Sequence, residues 1–500
     1  MRLNGLIRMS TPLYPVMDTC YMDTYAFFVP NRLLWKHWEN LMGQNDNTFW
    51  EQTTEYSVPM LNAPANGWNV GTIADYMGIP VGVKNIKVNA MPFRAYARIY
   101  NEWFRDENLQ QPVTCHDDDA YASGSNGSGD PTDAERGGLP LKVAKYHDYF
   151  TSCLPEPQKG DASTLPISLE QDAPVFTAAA PTVNGAQNAL IWRLGTNGNA
   201  MSSTDAPLGI AKNDAYGTFM DTGSTSTSGK ESNKMYPANL YAAVDVKSAI
   251  TINDLRNAIA IQHILEADAR GGTRYTEILS HEFGVNSPDA RLQRSEYLGG
   301  GRIPININQV IQSSGTTSTS PQGNTAAYSL TTTQSKMCSY SATEHGYIMV
   351  LAAIRVEHSY QQGLARMWSR KNRLDFYHPM LANLGEMAVL NKEIYAQGNA
   401  KDDEVFGYQE PWADYRYHPN MITGEMRSKY AQTLDAWHYG DYYEALPTLS
   451  AEWIQEPKNL VDRTLAVQSQ NAHQFICDFY FDQTWTRPMP IYGVPGLSKI

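Results

Sequence analysis

Apolar and polar positions alternate along several stretches of the chain, and each such stretch predicts a strand. Within 21–29, Tyr21, Asp23, Tyr25, Phe27 and Val29 alternate with Met22, Thr24, Ala26 and Phe28. This period of two, carried by aromatic and β-branched side chains, suits a pleated surface buried on at least one face. Pro30 has no N–H to give a ladder and ends the strand, and Asn31 is placed to cap a helical turn in which Leu34, Trp35 and Trp38 share a face. Alternation returns at 141–152, 303–311 and 473–482. The stretch 344–360 has a continuous apolar centre instead, which predicts a long strand buried on both faces.

Helical periodicity is rarer. After Pro92, residues Phe93, Tyr96, Ala97, Tyr100, Trp103 and Phe104 recur at i, i+3, i+4, i+7 spacing, predicting an amphipathic helix whose aromatic stripe is core packing rather than a ligand site. Arg94, Arg98, Glu102, Arg105 and Asp106 occupy or border its other face. A second helix is predicted from its caps, Asn253 and Asp254, to Gly271 and Gly272, and a shorter one over 273–283.

The rest reads as connection. Stretch 43–87 is broken by Pro59, Pro64 and Pro80, 313–336 is a Ser/Thr/Gln loop, and 374–428 mixes short helices with aromatic loop. Residues 155–240 are rich in Ala, Ser, Thr, Asn, Gly and Pro and poor in charge. A structureless loop of that length is unusual inside a compact domain, so an insertion with strands of its own is expected there. The end, 487–500, is too proline-rich for regular structure and suits an extended arm. Strands near both ends and in the middle, far apart in sequence, predict one sandwich-type domain over 1–500 rather than a string of domains.

Charge and cysteine content narrow the function. Among 500 residues, Asp and Glu (52) exceed Lys and Arg (39), a net charge of −13, so the chain has no global electrostatic footprint for nucleic acid. Tyr (30) outnumbers Phe (14), a bias that fits strands and surfaces buried on association equally well. Cys20, Cys115, Cys153, Cys338 and Cys477 are odd in number, scattered and without a CxxC pair, which fits a reducing compartment. The N-terminus carries no signal-peptide pattern and no stretch reaches the length of a membrane span, so the protein is expected to be made inside the cell, without membrane insertion.

Catalytic constellations fail one by one. There is no G-x-S-x-G, no G-x-G-x-x-G and no complete P-loop: 223–230 has one residue too many between its glycines, with Glu231 where Ser or Thr should hold magnesium. His281 and Glu282 begin a zincin motif, but Val285 stands where the second histidine belongs. Asp117, Asp118 and Asp119 invite a calcium reading but do not follow the EF-hand pattern. His345, His358 and His378 read as structural residues, and Glu386 and Glu393 cannot be called a glycosidase pair without geometry. No metal, cofactor or enzymatic activity is expected.

Several blocks in order resemble the major capsid protein of microviruses, the small icosahedral single-stranded DNA bacteriophages, and within them the gokushovirus branch. They are VMDTCYMDTYAFFVPNRLLWKHWENLMG (16–43), FRAYARIYNEWFRDENLQ (93–110), GGTRYTEILSHEFGVNSPDARLQRSEYLGG (271–300), YQQGL (360–364), DFYHPMLANLGEMAVLNKEIY (375–395) and FGYQEPWADYRYHPNMITGEMRS (406–428). The resemblance implies a mainly β fold, the viral jelly roll, an eight-stranded double sheet with very long inter-strand loops containing short helices. It implies self-assembly into a T=1 shell around circular single-stranded DNA, in the virion after assembly in the host cytoplasm. The partners implied are an internal scaffolding protein, a DNA pilot protein, a small basic DNA-binding protein and a host surface receptor. In such capsids a variable insertion protrudes at the three-fold axes and is implicated in host attachment. Here 155–240 matches it, with Phe176, Trp192, Phe219 and Tyr236 as candidate attachment residues. Candidate inter-subunit contacts are Trp35, Trp38, Trp412, Tyr415, Tyr417 and Arg487; candidate interior DNA contacts are Arg291, Arg294 and Arg302. Family members carry a further segment, including a first strand, before the residues matching Leu3 to Met17. Three readings follow: the roll lacks that strand, a later segment replaces it, or the start lies upstream, the last being favoured. The alternative from another class is a bacterial carbohydrate-binding or glycan-degrading β-sandwich protein, which predicts export.

Overall fold

The computed structural model describes the chain except for 45–54, 121, 272–276, 278–279, 282, 285–292, 384 and 488–500, and within 162–251 it describes the backbone of six short strands. The chain forms two compact units, Met1–Asp161 with His263–Ile500, and Ala162–Gln262.

The larger unit is built on a double sheet. Strands β1 (Arg2–Met9), β2 (Cys20–Pro30), β3 (Glu296–Pro304), β4 (Ile307–Ile311), β5 (Thr325–Ser329), β6 (Thr331–Lys336), β7 (Gly346–Val356) and β8 (Phe475–Asp482) follow in chain order. One three-stranded sheet runs β6-β1-β8 and the other β3-β2-β7, all antiparallel. Between them lies the core: Ile7 and Met9 of β1 meet Met22 of β2, Ile303 of β3 and Val356 of β7. Leu3 packs on Ala26, Met337 and Cys338. The mainly β double sheet expected from the sequence is present.

A bent hairpin joins the sheets. Its outer arms, β4 and β5, pair with each other, whereas its inner arms part, β3 to the sheet of β2 and β6 to the sheet of β1. Side chains stitch the fork: Thr331 Oγ1 accepts from Asn306 N at 2.8 Å, and Ser329 Oγ donates to Asn306 O at 2.9 Å. Two glycines make the β3–β2 pairing possible. Gly299 sits at a bulge with φ +146°, and a Cβ on Gly300 would meet Thr24 O at 2.0 Å.

Several predicted elements need correction. Arg2–Met9, which the sequence did not mark as a strand, is the central strand of its sheet, because Leu3, Ile7 and Met9 alternate inward. Both neighbours of β2 are β3 and β7, so no position stands open beside it. Full burial belongs to β2 and not to the predicted strand at 344–360: β7 lies at a sheet edge and is mostly half-buried. The predicted strand at 303–311 is two strands, β3 ending at Pro304 and β4 starting at Ile307. The predicted loop 313–336 contains β5 and β6. The predicted strand at 141–152 is not one: 141–148 makes a single bridge, Ala144 to Gln455, and 149–152 is a turn.

Helix α1 (Met91–Ile99) carries Pro92 in its first turn and widens into a π-turn over Tyr100–Phe104. It is more buried than an amphipathic surface helix. Met91, Ala95 and Ile99 pack beneath β2 with Phe27, Val29, Leu34 and Trp35, while Phe93 and Ala97 face Trp68 and Ile73. Arg94, expected on its polar face, is buried and donates to the carbonyls of Leu34, Asp118 and Ala120. Asn31 does not cap the turn after β2; its carbonyl accepts from Leu34 N at 3.0 Å.

In the smaller unit the short strands nest as successive antiparallel pairs: Val175–Thr177 with Leu240–Ala242, Trp192–Gly195 with Lys234–Pro237, and Gly209–Ala211 with Thr218–Met220. The strands expected in the insertion are thus present. The stretch TGSTSTSGKESNK (222–234), linker-like in composition, lies outside the described residues up to Lys234, and helix α2 (Ile252–Gly271) follows as predicted.

Beyond β7, His358 clips three segments together. Its Nδ1 lies 2.7 Å from Asp441 Oδ2 and its Nε2 3.1 Å from Glu456 Oε2. Burial disfavours the charged ring, but Asp441 and then Glu456 outweigh it and raise the pKa to about 9. The folded value exceeds the ordinary 6.5, so this contribution to stability is complete below about 6.5 and fades as pH rises through about 9. Melting temperature followed across that window should fall for the native chain and stay lower and flatter for His358→Gln, which leaves the buried Asp441 and the half-buried Glu456 without their shared cation at a cost of ~3–5 kcal/mol.

Candidate assembly and nucleic-acid surfaces

The outer face of the β3-β2-β7 sheet carries a charged centre. β2 alternates, so Tyr21, Asp23, Tyr25, Phe27 and Val29 share the face turned away from the other sheet, and Arg302 of β3 stands directly opposite Asp23. Arg355 of β7 pairs with Tyr21, two residues along, and reaches the same carboxylate diagonally. Asp23, almost wholly buried, accepts from Arg302 Nε at 3.0 Å, from Arg355 Nε at 3.2 Å, from Arg355 Nη2, and from Tyr146 Oη at 2.7 Å. Burial alone would raise its pKa; the hydrogen bonds of Tyr146, Arg355 and Arg302 overcome this and hold it below the ordinary carboxylate range. Both guanidinium groups lie 4.2 Å from the Tyr146 ring.

Over this centre opens a cleft of about 930 Å³. The rings of Tyr25, Trp103, Phe104, Tyr146, Tyr297 and Tyr417 line it together with Arg302 and Arg355. The π-turn after α1 places Trp103 and Phe104 over the sheet, Phe104 edge-on to Tyr25 at 5.0 Å. Arg355 is consumed within the subunit, since Nη1 also donates to Ala144 O at 3.3 Å. Arg302 is half-exposed, and its Nη nitrogens donate no hydrogen bond among the described residues. A guanidinium held at one edge and open at the other, beside stacked rings, has the chemistry to take an anionic group and a flat ring.

The residues singled out from sequence fall in different settings. Trp35 has no exposed surface: it packs under β2, and its Nε1 donates to Asp119 at 2.6 Å. Trp412 is also buried, its Nε1 donating to Leu381 O at 3.3 Å. Trp38 is half-buried against His345 at 5.6 Å, and Tyr417 is half-buried, stacked on Tyr149 at 5.0 Å. Tyr415 and Arg487 are exposed. Arg294 lies over the ring of Trp103, one of the cleft's lining residues, at 3.9 Å and donates to Glu102 O. Arg291 lies outside the described residues, as do the side chains of Phe176, Trp192, Phe219 and Tyr236.

The discarded catalytic candidates have structural partners. Glu386 pairs with Arg270; Glu393 accepts from Tyr149 Oη at 3.0 Å and lies 3.4 Å from Arg366. Asp117 pairs with Lys36, Asp118 accepts from Ala120 N, and Asp119 holds Trp35 and His37. His345 accepts from Asn31 N through its carbonyl, and His378 Nδ1 accepts from Met380 N. Sequence reasoning missed Asp23, Tyr146 and Arg355. The available signal was a lone carboxylate inside an aromatic strand and a lone cation inside the apolar run of β7.

A mainly β double sheet whose charged centres brace the fold, and whose long connections form its surface, is consistent with a jelly-roll shell subunit. The comparisons agree. The profile of the family described as capsid protein (F protein) matches residues 1–497. The chain is 44% identical to capsid protein VP1 of Spiroplasma virus 4, over 100% of this chain and 90% of that protein. It is 43% identical to capsid protein VP1 of Bdellovibrio phage phiMH2K, over 99% and 89%, and 39% identical to that of Chlamydia phage 1, over 99% and 89%. The chain belongs to the capsid protein (F protein) family of microvirus phages. It is a structural capsid protein that builds a shell in the virion, not an enzyme, and the carbohydrate-active alternative is set aside. Among the described residues no helix is long and apolar enough to cross a membrane.

Asp23→Asn removes a buried charge facing two guanidinium groups and is expected to cost ~3–5 kcal/mol, read as a lower denaturant midpoint at neutral pH. Because the folded pKa of Asp23 is depressed, its contribution is present above the ordinary value of 3.8 and lost as pH falls below it, so native and variant stabilities should converge in acid.

Proposed function

We propose that this chain assembles, one copy per equivalent position, into a T=1 icosahedral shell around circular single-stranded DNA. The observation that carries this reading is the match to a capsid family along nearly the whole chain. Assembly takes place in the host cytoplasm with an internal scaffolding protein. A DNA pilot protein and a small basic DNA-binding protein enter with the genome, the latter suited to a chain of net charge −13. Contacts between subunits bury exposed and half-exposed aromatic and basic groups, among them Trp38, Tyr415, Tyr417 and Arg487, in interfaces of the obligate kind.

The cleft above Asp23 takes the packaged strand, with rings such as Tyr25 and Trp103 against the bases and Arg302, flanked by Arg294, on the phosphates. The segment 155–240, whose nested strand pairs give it a core of its own backbone hydrogen bonds, is the host-attachment protrusion and engages a surface receptor through Phe176, Trp192, Phe219 and Tyr236.

Co-expression with the scaffolding protein, followed by sedimentation and electron microscopy, should give closed shells; a chain that stays monomeric in that setting would sink the reading. In filter binding with single-stranded DNA, Arg302→Gln should lower the dependence of log affinity on log salt by about 1. An unchanged slope would remove Arg302 from the DNA contact. Exchange of 155–240 for a relative's segment should change host adsorption and leave particle yield intact, and loss of particles would place the segment in the shell itself.

A further inference from the structure

Residues 364–381 have no strand and no helix longer than the 3-10 turns Arg366–Ser369, Arg373–Asp375 and Pro379–Leu381. Such connections ordinarily turn polar side chains to water. Here the apolar ones face out: Met367, Trp368, Leu374, Phe376, Tyr377 and Met380 are all exposed, Trp368 by 71% and Met380 by 84%. Isolated exposed apolar residues need no explanation, but a contiguous run of this kind marks an interaction surface.

The backbone beneath is pinned at both ends and in the middle. Arg366 Nη1 donates to Ala388 O at 2.8 Å. Arg370 pairs with Asp414, and its guanidinium lies 4.0 Å from the Tyr415 ring. Asp375 accepts from the N–H groups of Lys371 and Asn372 at 2.8 and 2.7 Å. Trp412, held in the left-handed region at φ +62°, bonds Leu381, and the rings of Tyr377, Trp412 and Tyr415 meet edge-on at 5.8 to 6.2 Å. The exposed Trp368 and Met380 therefore stand on a framework fixed before any partner arrives, which lowers the entropy cost of docking. Trp, Tyr, Met and Arg are also the residue types enriched where protein surfaces mate.

Charge selects the partner. Arg366 and Arg370 are consumed inside the subunit, whereas Lys371 and Arg373 are exposed and form no ion pair among the described residues. Two such platforms laid face to face would set like charges together, which disfavours a two-fold contact of the platform with itself. The rest of the chain is acidic, with a net charge of −13, so a different surface of another copy offers the complementary sign. We infer that 364–381, braced by the turn at Trp412, is a preformed platform that docks on an unlike, acidic surface of a second copy of this chain, giving a head-to-tail contact that closes into a ring. This rests on the shell-building reading and specifies one of its contacts.

The test compares the full chain, co-expressed with its scaffolding protein, with the double variant Trp368→Glu/Met380→Glu. Both residues are exposed, so the variant should keep the native melting temperature while its yield of shells in sedimentation drops by roughly tenfold or more. Shells at native yield would overturn the inference. A photo-crosslinking amino acid at position 368 supplies an independent readout: irradiated shells should give covalent chain-to-chain dimers that unassembled subunits do not give, and shells without such dimers would overturn it. Lys371→Glu/Arg373→Glu should slow assembly and weaken its salt dependence; an unchanged rate would overturn the unlike-surface contact. If the native chain forms no shells, the shell-building reading falls, whereas shells from both native chain and variant remove this contact alone.

Discussion

The larger unit depends on the carboxylate of Asp23. It lies at the middle of β2, the one strand of its sheet that is covered on both faces, and it binds a guanidinium from each neighbouring strand and a phenol from a segment more than a hundred residues away in sequence. Taking the carboxylate of Asp23 and the guanidinium of Arg355 out of water is expensive, and the arrangement is tolerable because Asp23 is bonded on both oxygens, Arg302 keeps half of its surface in water and both cations stack on Tyr146. The consequence is register. A one-residue slip of β3 or β7 would send Arg302 or Arg355 into the sandwich core beside Met22 and Ile303, where nothing could neutralise it. The hydrophobic pattern says that β2 is buried; the charge cluster says which residues it pairs with.

Burial on both faces also explains how a small double sheet supports so long a chain. The inner face of β2 closes on β1, and its outer face is roofed by α1, Trp35 and the π-turn. The connections do not drape over a finished core; they form its second layer, with their own clusters around Trp68 and around Tyr149 and Phe406. His358 binds the end of β7 to two of these connections, at Asp441 and Glu456. Loops anchored this way present fixed surfaces, as a shell subunit requires of regions that meet its neighbours.

What could be read from the sequence follows the strength of local periodicity. β2, β8 and α1 show it clearly, α2 was legible from its caps, and the apolar run of β7 marked a strand whose burial was overestimated because a run buried on both faces and one at a sheet edge look alike in one dimension. β1 was hidden because Gly5 occupies an inward position between Leu3 and Ile7, so the alternation has a gap. β5 and β6 were hidden in Thr, Ser and Gln, residues that suit a strand with one wet face but resemble a loop by composition. At 141–152 the alternation was real and the strand was not. Val143 and Lys145 bond the backbone of Glu456 and Ile454, but Arg355 and the Tyr100 hydroxyl take the carbonyls of Ala144 and Lys142, and from Asp148, whose carboxylate accepts from Phe150 N and Thr151 N, the chain turns. The family resemblance carried function further than any motif, since the surfaces that matter come together only in the fold.

The same pairing logic decides how much positive charge remains for a nucleic acid. The chain has 39 basic residues against 52 acidic ones, and many cations are spent internally: Arg94 on three carbonyls, Arg355 on Asp23, Arg370 on Asp414, Arg463 on the carbonyls of His438 and Gly440. A guanidinium whose donors are all committed contributes field but cannot close on a phosphate, and most of these are also screened by a carboxylate within contact. Counterion release scales with the number of phosphates actually neutralised, so a shell of such subunits has little electrostatic affinity of its own for DNA. What it can supply is stacking: the cleft over Asp23 offers many rings for one open guanidinium fork. Under the proposal that the cleft takes the packaged strand, stacking on these rings is tolerant of sequence, because every base has a π-face.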